Sequence, residues 1–173
     1  EAGGVKAVVA VGCMVQRYKE ELTAEIPEVD LFLGLVEMGT LIPELRERGL
    51  LEADEPHHTM EIPLRVLATN TPHTSFLKIS EGCDHTCAFC AIPSFRGGNV
   101  SEDLDRLVAE AYRMVGNGVR EVALIAQDTM RYGADLYGKA RLVDLLKELV
   151  QINGLDWVRL LYAYPTGWRD DLI

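Results

Sequence analysis

Ser75-Phe-Leu-Lys-Ile-Ser80-Glu-Gly-Cys83-Asp-His-Thr-Cys87-Ala-Phe-Cys90 is the stretch on which the reading of this chain turns. Its first half has the length and composition of a strand, and it runs without a break into three cysteines. The cysteines are spaced by three residues and then by two. Three thiolates on one short loop can each take a different corner of a cubic iron–sulfur cluster, which leaves the fourth iron open to a substrate or cofactor. The alternative is a structural zinc site with His85 or His73 as fourth ligand. Such sites usually join two ligand pairs across a longer gap, and the sequence holds no second pair. Three unliganded thiols exposed together would be chemically hazardous.

Working outward from the loop, β and α patterns alternate. Downstream, Ser101 is placed to cap a helix whose apolar face is Leu104, Leu107, Val108, Ala111 and Val115, with Glu102 and Asp103 at its positive end. Gly116-Asn117-Gly118 ends it, and Val122 to Ala126 reads as a buried strand followed by the turn Gln127-Asp128. Leu142, Val143, Leu145, Leu146, Leu149 and Val150 mark a further helix ending near Gly154, and Trp157 to Ala163 reads as a third strand. This order predicts a parallel sheet, in which functional groups gather at the C-terminal strand ends.

Upstream, Val5 to Val11 is an apolar run of strand length closed by Gly12. Val15 to Ile26 reads as an exposed helix stopped by Pro27, and its charged face from Lys19 to Glu25 as a wet surface. Asp30 to Gly34 is a second strand, and Leu41 to Arg48 a second helix with Gly49 as its C-terminal cap. Between the halves the chain turns polar and Pro56, Pro63 and Pro72 punctuate it, as in a linker; His57 and His58 there are expected to face solvent. The expected class is α/β, with residues 1–50 ending one domain, 51–74 linking, and 75–173 opening another. A three-stranded sheet would leave an unprotected edge, and Asp170-Asp171 hints at a helix start just before Ile173, so the chain reads as a fragment.

Composition sets the class of protein. The 173 residues are 48% hydrophobic and 25% charged, which suits a folded soluble domain and excludes collagen-like and disordered classes. No stretch approaches the roughly 20 apolar residues that a membrane span needs, so no membrane partner is expected. Seventeen Lys and Arg against 27 Asp and Glu give a net charge of −10, which argues against a wide nucleic-acid-coating surface. Three of the four cysteines crowd into eight positions, which points to metal ligation in a reducing compartment, hence the cytoplasm.

The motif Cys83-x₃-Cys87-x₂-Cys90, with Phe89 before its last cysteine, resembles the radical S-adenosylmethionine (SAM) superfamily. Phe76-Leu-Lys-Ile-Ser-Glu-Gly-Cys83, Ala91-Ile-Pro-Ser-Phe-Arg-Gly97, Ile125-Ala-Gln-Asp-Thr129, Gly12-Cys13-Met-Val-Gln-Arg17 and Glu25-Ile-Pro-Glu-Val-Asp30 narrow it. Together they resemble the methylthiotransferases, and among these the type that modifies an aspartate of a small-subunit ribosomal protein, S12. The resemblance implies the end of an α/β amino-terminal methylthiotransferase domain followed by the first half of a radical SAM partial (β/α) barrel. It implies that Cys83, Cys87 and Cys90 hold a [4Fe-4S] cluster whose fourth iron is chelated by SAM. One electron from that cluster, itself supplied by a reducing electron donor, then cleaves the sulfonium to give a 5′-deoxyadenosyl radical.

Other residues carry two readings each. A lone Cys13 in a Gly-Cys turn is most often a small buried hydrophobe; the resemblance makes it the last of three ligands to a second [4Fe-4S] cluster, the other two lying upstream of Glu1. Phe89 is core packing, or by resemblance the residue near the adenine of SAM. Gln127 and Asp128 either cap their strand or bond the amino group or ribose of SAM, and Arg96 either is a solvated cation or meets the SAM carboxylate or the substrate. The function implied is methylthio insertion at the β-carbon of a ribosomal-protein aspartate. The alternatives are the sister activity on a tRNA adenosine, where tRNA would be the partner, and a non-catalytic metal-binding module. Gln127-Asp128-Thr129 and Pro93-Ser94-Phe95-Arg96 resemble the protein-modifying type.

Overall fold

The computed structural model describes residues 4–51, 71–168, 170 and 172, and for Thr166 the backbone alone. The linker expected at 51–74, with Pro56, Pro63, His57 and His58, falls for the most part outside them. Its last residues are already tied into structure, since the His73 carbonyl accepts the N–H groups of Arg120 and Glu121 at 2.8 and 2.9 Å. The described residues are an α/β mixture in two compact units.

The first unit contains β1 (Val9–Val11), α1 (Cys13–Glu25), β2 (Leu31–Leu33), a 3-10 turn at Leu35–Thr40 and α2 (Leu41–Glu47), together with Ser94–Arg96. β1 and β2 pair in parallel, Val9 opposite Leu31 and Val11 opposite Leu33, with α1 as the crossover. Leu31, Phe32 and Leu33 are all buried, as an uninterrupted apolar triplet requires, whereas α1 fully buries Val15 alone. The strand expected from Val5 begins only at Val9. Just before it, the Val8 N–H donates to the Asp30 carboxylate at 2.8 Å and the Asp30 N–H to the Val8 carbonyl at 2.9 Å. A side chain thus takes the donor that a further rung of the ladder would use. Gly49 closes α2 as expected, at φ +68, with the Leu50 N–H returning to the Leu45 carbonyl at 2.9 Å.

The second unit is built on a parallel three-stranded sheet in the order β3 (Thr74–Lys78), β6 (Glu121–Ile125), β7 (Trp157–Leu160). Thr74 pairs with Glu121 and Lys78 with Ile125; Glu121 pairs with Trp157 and Leu124 with Leu160. The crossovers carry α4 (Leu104–Gly116) and α6 (Leu142–Leu149), which also pack on each other. Each helix repeats apolar residues every three or four positions, so one stripe faces the sheet: Leu104, Leu107, Ala111 and Met114 on α4, Leu142, Leu145 and Leu149 on α6. With Leu77, Val122 and Leu124 from the strands, all wholly buried, they form the core.

Tertiary bonds correct the expected elements in several places. Ser101 does not cap α4; Asp103 does, accepting the Arg106 N–H at 3.2 Å. That bond and one from the Tyr137 hydroxyl hold the Asp103 carboxyl below its usual range. Ser101 belongs to β5 (Val100–Ser101), which pairs antiparallel with β4 (Ser80–Glu81), a ladder with no counterpart in the expected elements. Asp135 lies on the single turn α5 (Ala134–Tyr137), and its carboxylate accepts the Ser101 N–H at 2.8 Å and its hydroxyl at 2.6 Å. Burial pushes that carboxyl up, but the Ser101 bonds outweigh it and the net shift is downward. The strand expected to reach Ala163 stops at Leu160, because Tyr162 turns the chain at φ +59 and gives its carbonyl to the Thr129 N–H.

Candidate metal centre

In a parallel sheet the three strands end on one edge, and the segment leaving each strand starts from that edge. After β3 come β4 and the cysteine loop, after β6 come Gln127 and Asp128, and after β7 come Tyr162 and Tyr164. The loop leaves through β4 and returns through α3 (Ile92–Arg96) and β5, so the β4–β5 ladder closes its neck. The Cys83 N–H donates to the Gly97 carbonyl at 3.1 Å, and the Asn99 N–H to the Asp84 carboxylate at 2.9 Å. Asp84 also pairs with Arg131 at 3.1 Å. Farther out, the Cys90 N–H turns back to the Cys87 carbonyl at 3.0 Å.

Gly82 is the residue this neck demands. It sits at φ +79, and a Cβ there would run into the Gly98 carbonyl oxygen and come within 2.8 Å of that of Gly97. The obstacles are backbone atoms of the facing segment, so no rotamer change relieves them. Gly82→Ala is expected to cost on the order of 1–3 kcal/mol from the left-handed backbone alone, with the clash added. Denaturant unfolding should show the lower stability, and amide exchange should show lost protection at Cys83 and Glu102, whose N–H groups donate across the neck to the Gly97 and Ile79 carbonyls. Wild-type values in both would mean that the neck tolerates a side chain.

All four cysteines are free thiols; Cys83 is buried, and Cys87, Cys90 and Cys13 are half-buried. Among the described residues, no three Cys, His, Asp or Glu side chains converge on a common point where a single ion would be held. A zinc ion needs that convergence, all its ligands lying within about 2.3 Å of one centre. In a cubic cluster each thiolate binds its own iron, so the three sulfurs surround one larger core and stand farther apart than around a single ion. His85, one of the two histidines considered for zinc, has its Nε2 2.7 Å from the Asp128 carboxylate and its ring stacked on Tyr164.

The remaining candidates are spread over both units. Phe89 is 93% exposed, so it is not core. Gln127 donates from Nε2 to Glu81 at 2.9 Å, and Glu81 also pairs with Lys78; the Gln127 amide oxygen is buried without a partner among the described residues. Asp128 is almost fully buried, one oxygen accepting the Met130 N–H at 3.0 Å and the other meeting His85. Cys13 opens α1 directly after β1 and Gly12, and within the first unit Arg96 Nη2 lies 3.2 Å from its sulfur. Sequence reasoning missed the roles of Gly82, Asp84 and Tyr164. The glycine immediately before the first cysteine was the available signal for a tight neck.

The arrangement is that of an α/β protein carrying a three-thiol loop at the carboxyl edge of a parallel sheet. No family model matches the chain. Relatives match it along its whole length. It is 44% identical over 173 residues to the ribosomal protein uS12 methylthiotransferase of Christiangramia forsetii, covering all of this chain and 36% of that protein. It is 43% identical over 180 residues to the protein of the same name from Desulforamulus reducens, covering all of this chain and 40% of the relative. The Chloroherpeton thalassium protein of that name is 46% identical over 173 residues, again all of this chain and 38% of the relative. The chain is thus similar, along its whole length, to part of these methylthiotransferases, and it spans well under half the length of the relatives it matches. Among the described residues no helix is long and apolar enough to cross a membrane.

Proposed function

We propose that this chain is part of a radical SAM methylthiotransferase that adds a methylthio group to the β-carbon of an aspartate in ribosomal protein uS12. The observation that carries the reading is the match along every part of the chain to relatives named for that activity, with three free thiols on one loop at the sheet edge. Residues 1–50 then end the amino-terminal methylthiotransferase domain, 51–74 link, and 75–173 open the radical SAM barrel. The protein would work in the cytoplasm, with a reducing electron donor as a further partner.

Cys83, Cys87 and Cys90 would hold a [4Fe-4S] cluster, and the donor set suits it: three free thiols, soft sulfur ligands, one for each of three irons. With SAM bound, that cluster supplies the electron that opens the sulfonium and so permits hydrogen abstraction from an unactivated carbon. The chain's own residues bind and orient. The buried, unpartnered amide oxygen of Gln127 is an acceptor suited to the SAM ammonium group. Phe89 offers an exposed aromatic face on the loop itself, suited to stacking on adenine. Cys13, with Arg96 donating to its sulfur, would contribute to the second cluster.

The complete gene, expressed in a host lacking both the uS12 and the tRNA activities, is expected to restore a methylthio mass increment on the uS12 aspartate and to leave tRNA adenosine unmodified. Acidity supports this direction, since a tRNA-binding face must neutralise several phosphates and the chain carries 17 cations against 27 carboxylates. Modified adenosine with an unmodified uS12 would overturn the substrate assignment.

A further inference from the structure

His85 lies between the first two cysteines of the loop, 43 residues from the carboxylate it meets. Its imidazole is gripped on two sides. The Nε2 atom is 2.7 Å from Asp128 Oδ2, and the ring lies on that of Tyr164, with centroids 4.1 Å apart and planes inclined by 25°. Asp128 is itself fixed. Its side chain is only 4% exposed, and its other oxygen accepts the Met130 N–H at 3.0 Å, capping the 3-10 turn after β6. Tyr164 sits just after β7, at the start of the turn Pro165–Gly167. The middle of an irregular loop is thereby tied to the segments that leave two strands of the sheet.

We propose that Asp128 works through His85: with Tyr164 stacked on the imidazole, the pair holds the middle of the cysteine loop against the ends of β6 and β7 and so sets where the Cys83 and Cys87 thiols stand. This rests on the cluster reading of the loop. It also separates Asp128 from Gln127, its neighbour at the same strand end. Gln127 keeps a free acceptor for a ligand, whereas both Asp128 oxygens are taken by the protein. Asp128 is then a positioning residue and no contact of SAM. Groups that orient a metal's ligands typically change affinity or activity by about 10- to 100-fold when removed.

The test uses the complete protein in two arms, with His85→Ala, Asp128→Ala, the double variant, and Asp128→Asn, which keeps an acceptor. In the first arm the protein is iron-free, and exchange is measured at the Cys83 and Cys90 amides, which donate to the Gly97 and Cys87 carbonyls. Each single alanine variant is expected to speed exchange by about tenfold or more, the double no further, and Asp128→Asn to recover most of the protection, because the two groups act as one unit. In the second arm the reconstituted proteins are compared. Expected are an altered electron paramagnetic resonance signal of the reduced cluster and a fall in kcat for SAM cleavage of roughly 10- to 100-fold, with KM for SAM unchanged. A direct SAM contact predicts the opposite: Asp128→Ala raises KM, His85→Ala leaves both arms at wild type, and the effects add. That result overturns the proposal, as does unchanged exchange in either alanine variant. Should the wild-type protein assemble no SAM-cleaving cluster, the functional reading fails, and the first arm still decides whether the clamp exists.

Discussion

Cys83→Ala in the complete protein is expected to abolish iron binding at this loop and to reduce SAM cleavage to background, and Cys87→Ala and Cys90→Ala are expected to do the same. Each thiolate would serve a different iron, so none can substitute for another, and the loop offers no spare sulfur. The loss should exceed the roughly 100-fold upper range for removing an outer partner of a metal ligand. The fold should survive. The β4–β5 neck is held by Gly82, by the Cys83 main-chain N–H and by Asp84, none of which depends on a thiol. Iron and sulfide analysis after anaerobic reconstitution reads the first effect, release of methionine or 5′-deoxyadenosine the second, and thermal unfolding the control. A Cys83→Ala protein that keeps its iron and still cleaves SAM would show that the loop is not the cluster site.

Sequence legibility followed the range of the forces involved. The strands β3, β6 and β7 and the helices α4 and α6 were readable because burial on a sheet imposes apolar runs of fixed length and helical stripes of fixed period, as at Leu77, Leu124, Leu107 and Leu145. The cysteine spacing was readable because the three thiols are neighbours in the chain. The β4–β5 ladder was not, since two residues a strand carry no period and Ser80 meets Ser101 only after the loop has closed. Ser101 has the chemistry of a cap, yet its hydroxyl goes to Asp135, 34 residues on, and Asp103 takes the helix end. His85 shows the limit most plainly. From sequence it is a histidine beside cysteines, considered with His73 only as the fourth ligand of the alternative zinc site; Asp128 and Tyr164, which it contacts, are brought to it only by the sheet.

Cys13→Ala in the complete protein is expected to separate two chemistries that the Cys83 variants lose together. By the proposed reading Cys13 serves a second cluster, so the variant should keep the iron of the Cys83, Cys87 and Cys90 loop and lose the rest, falling from about eight to about four irons per chain. SAM cleavage should persist, since no atom of Cys13 belongs to the loop. Methylthio transfer to uS12 should disappear. Placement supports a ligand role over the bland one of a small buried hydrophobe. The residue stands at the first position of α1, directly after Gly12 and β1, and its half-buried thiol takes a hydrogen bond from a guanidinium. A purely structural cysteine predicts a different pattern: full iron content, full product, and a modest drop in thermal stability. Mass spectrometry of uS12 together with iron analysis on the same preparation distinguishes the two, and unchanged product would assign Cys13 to packing.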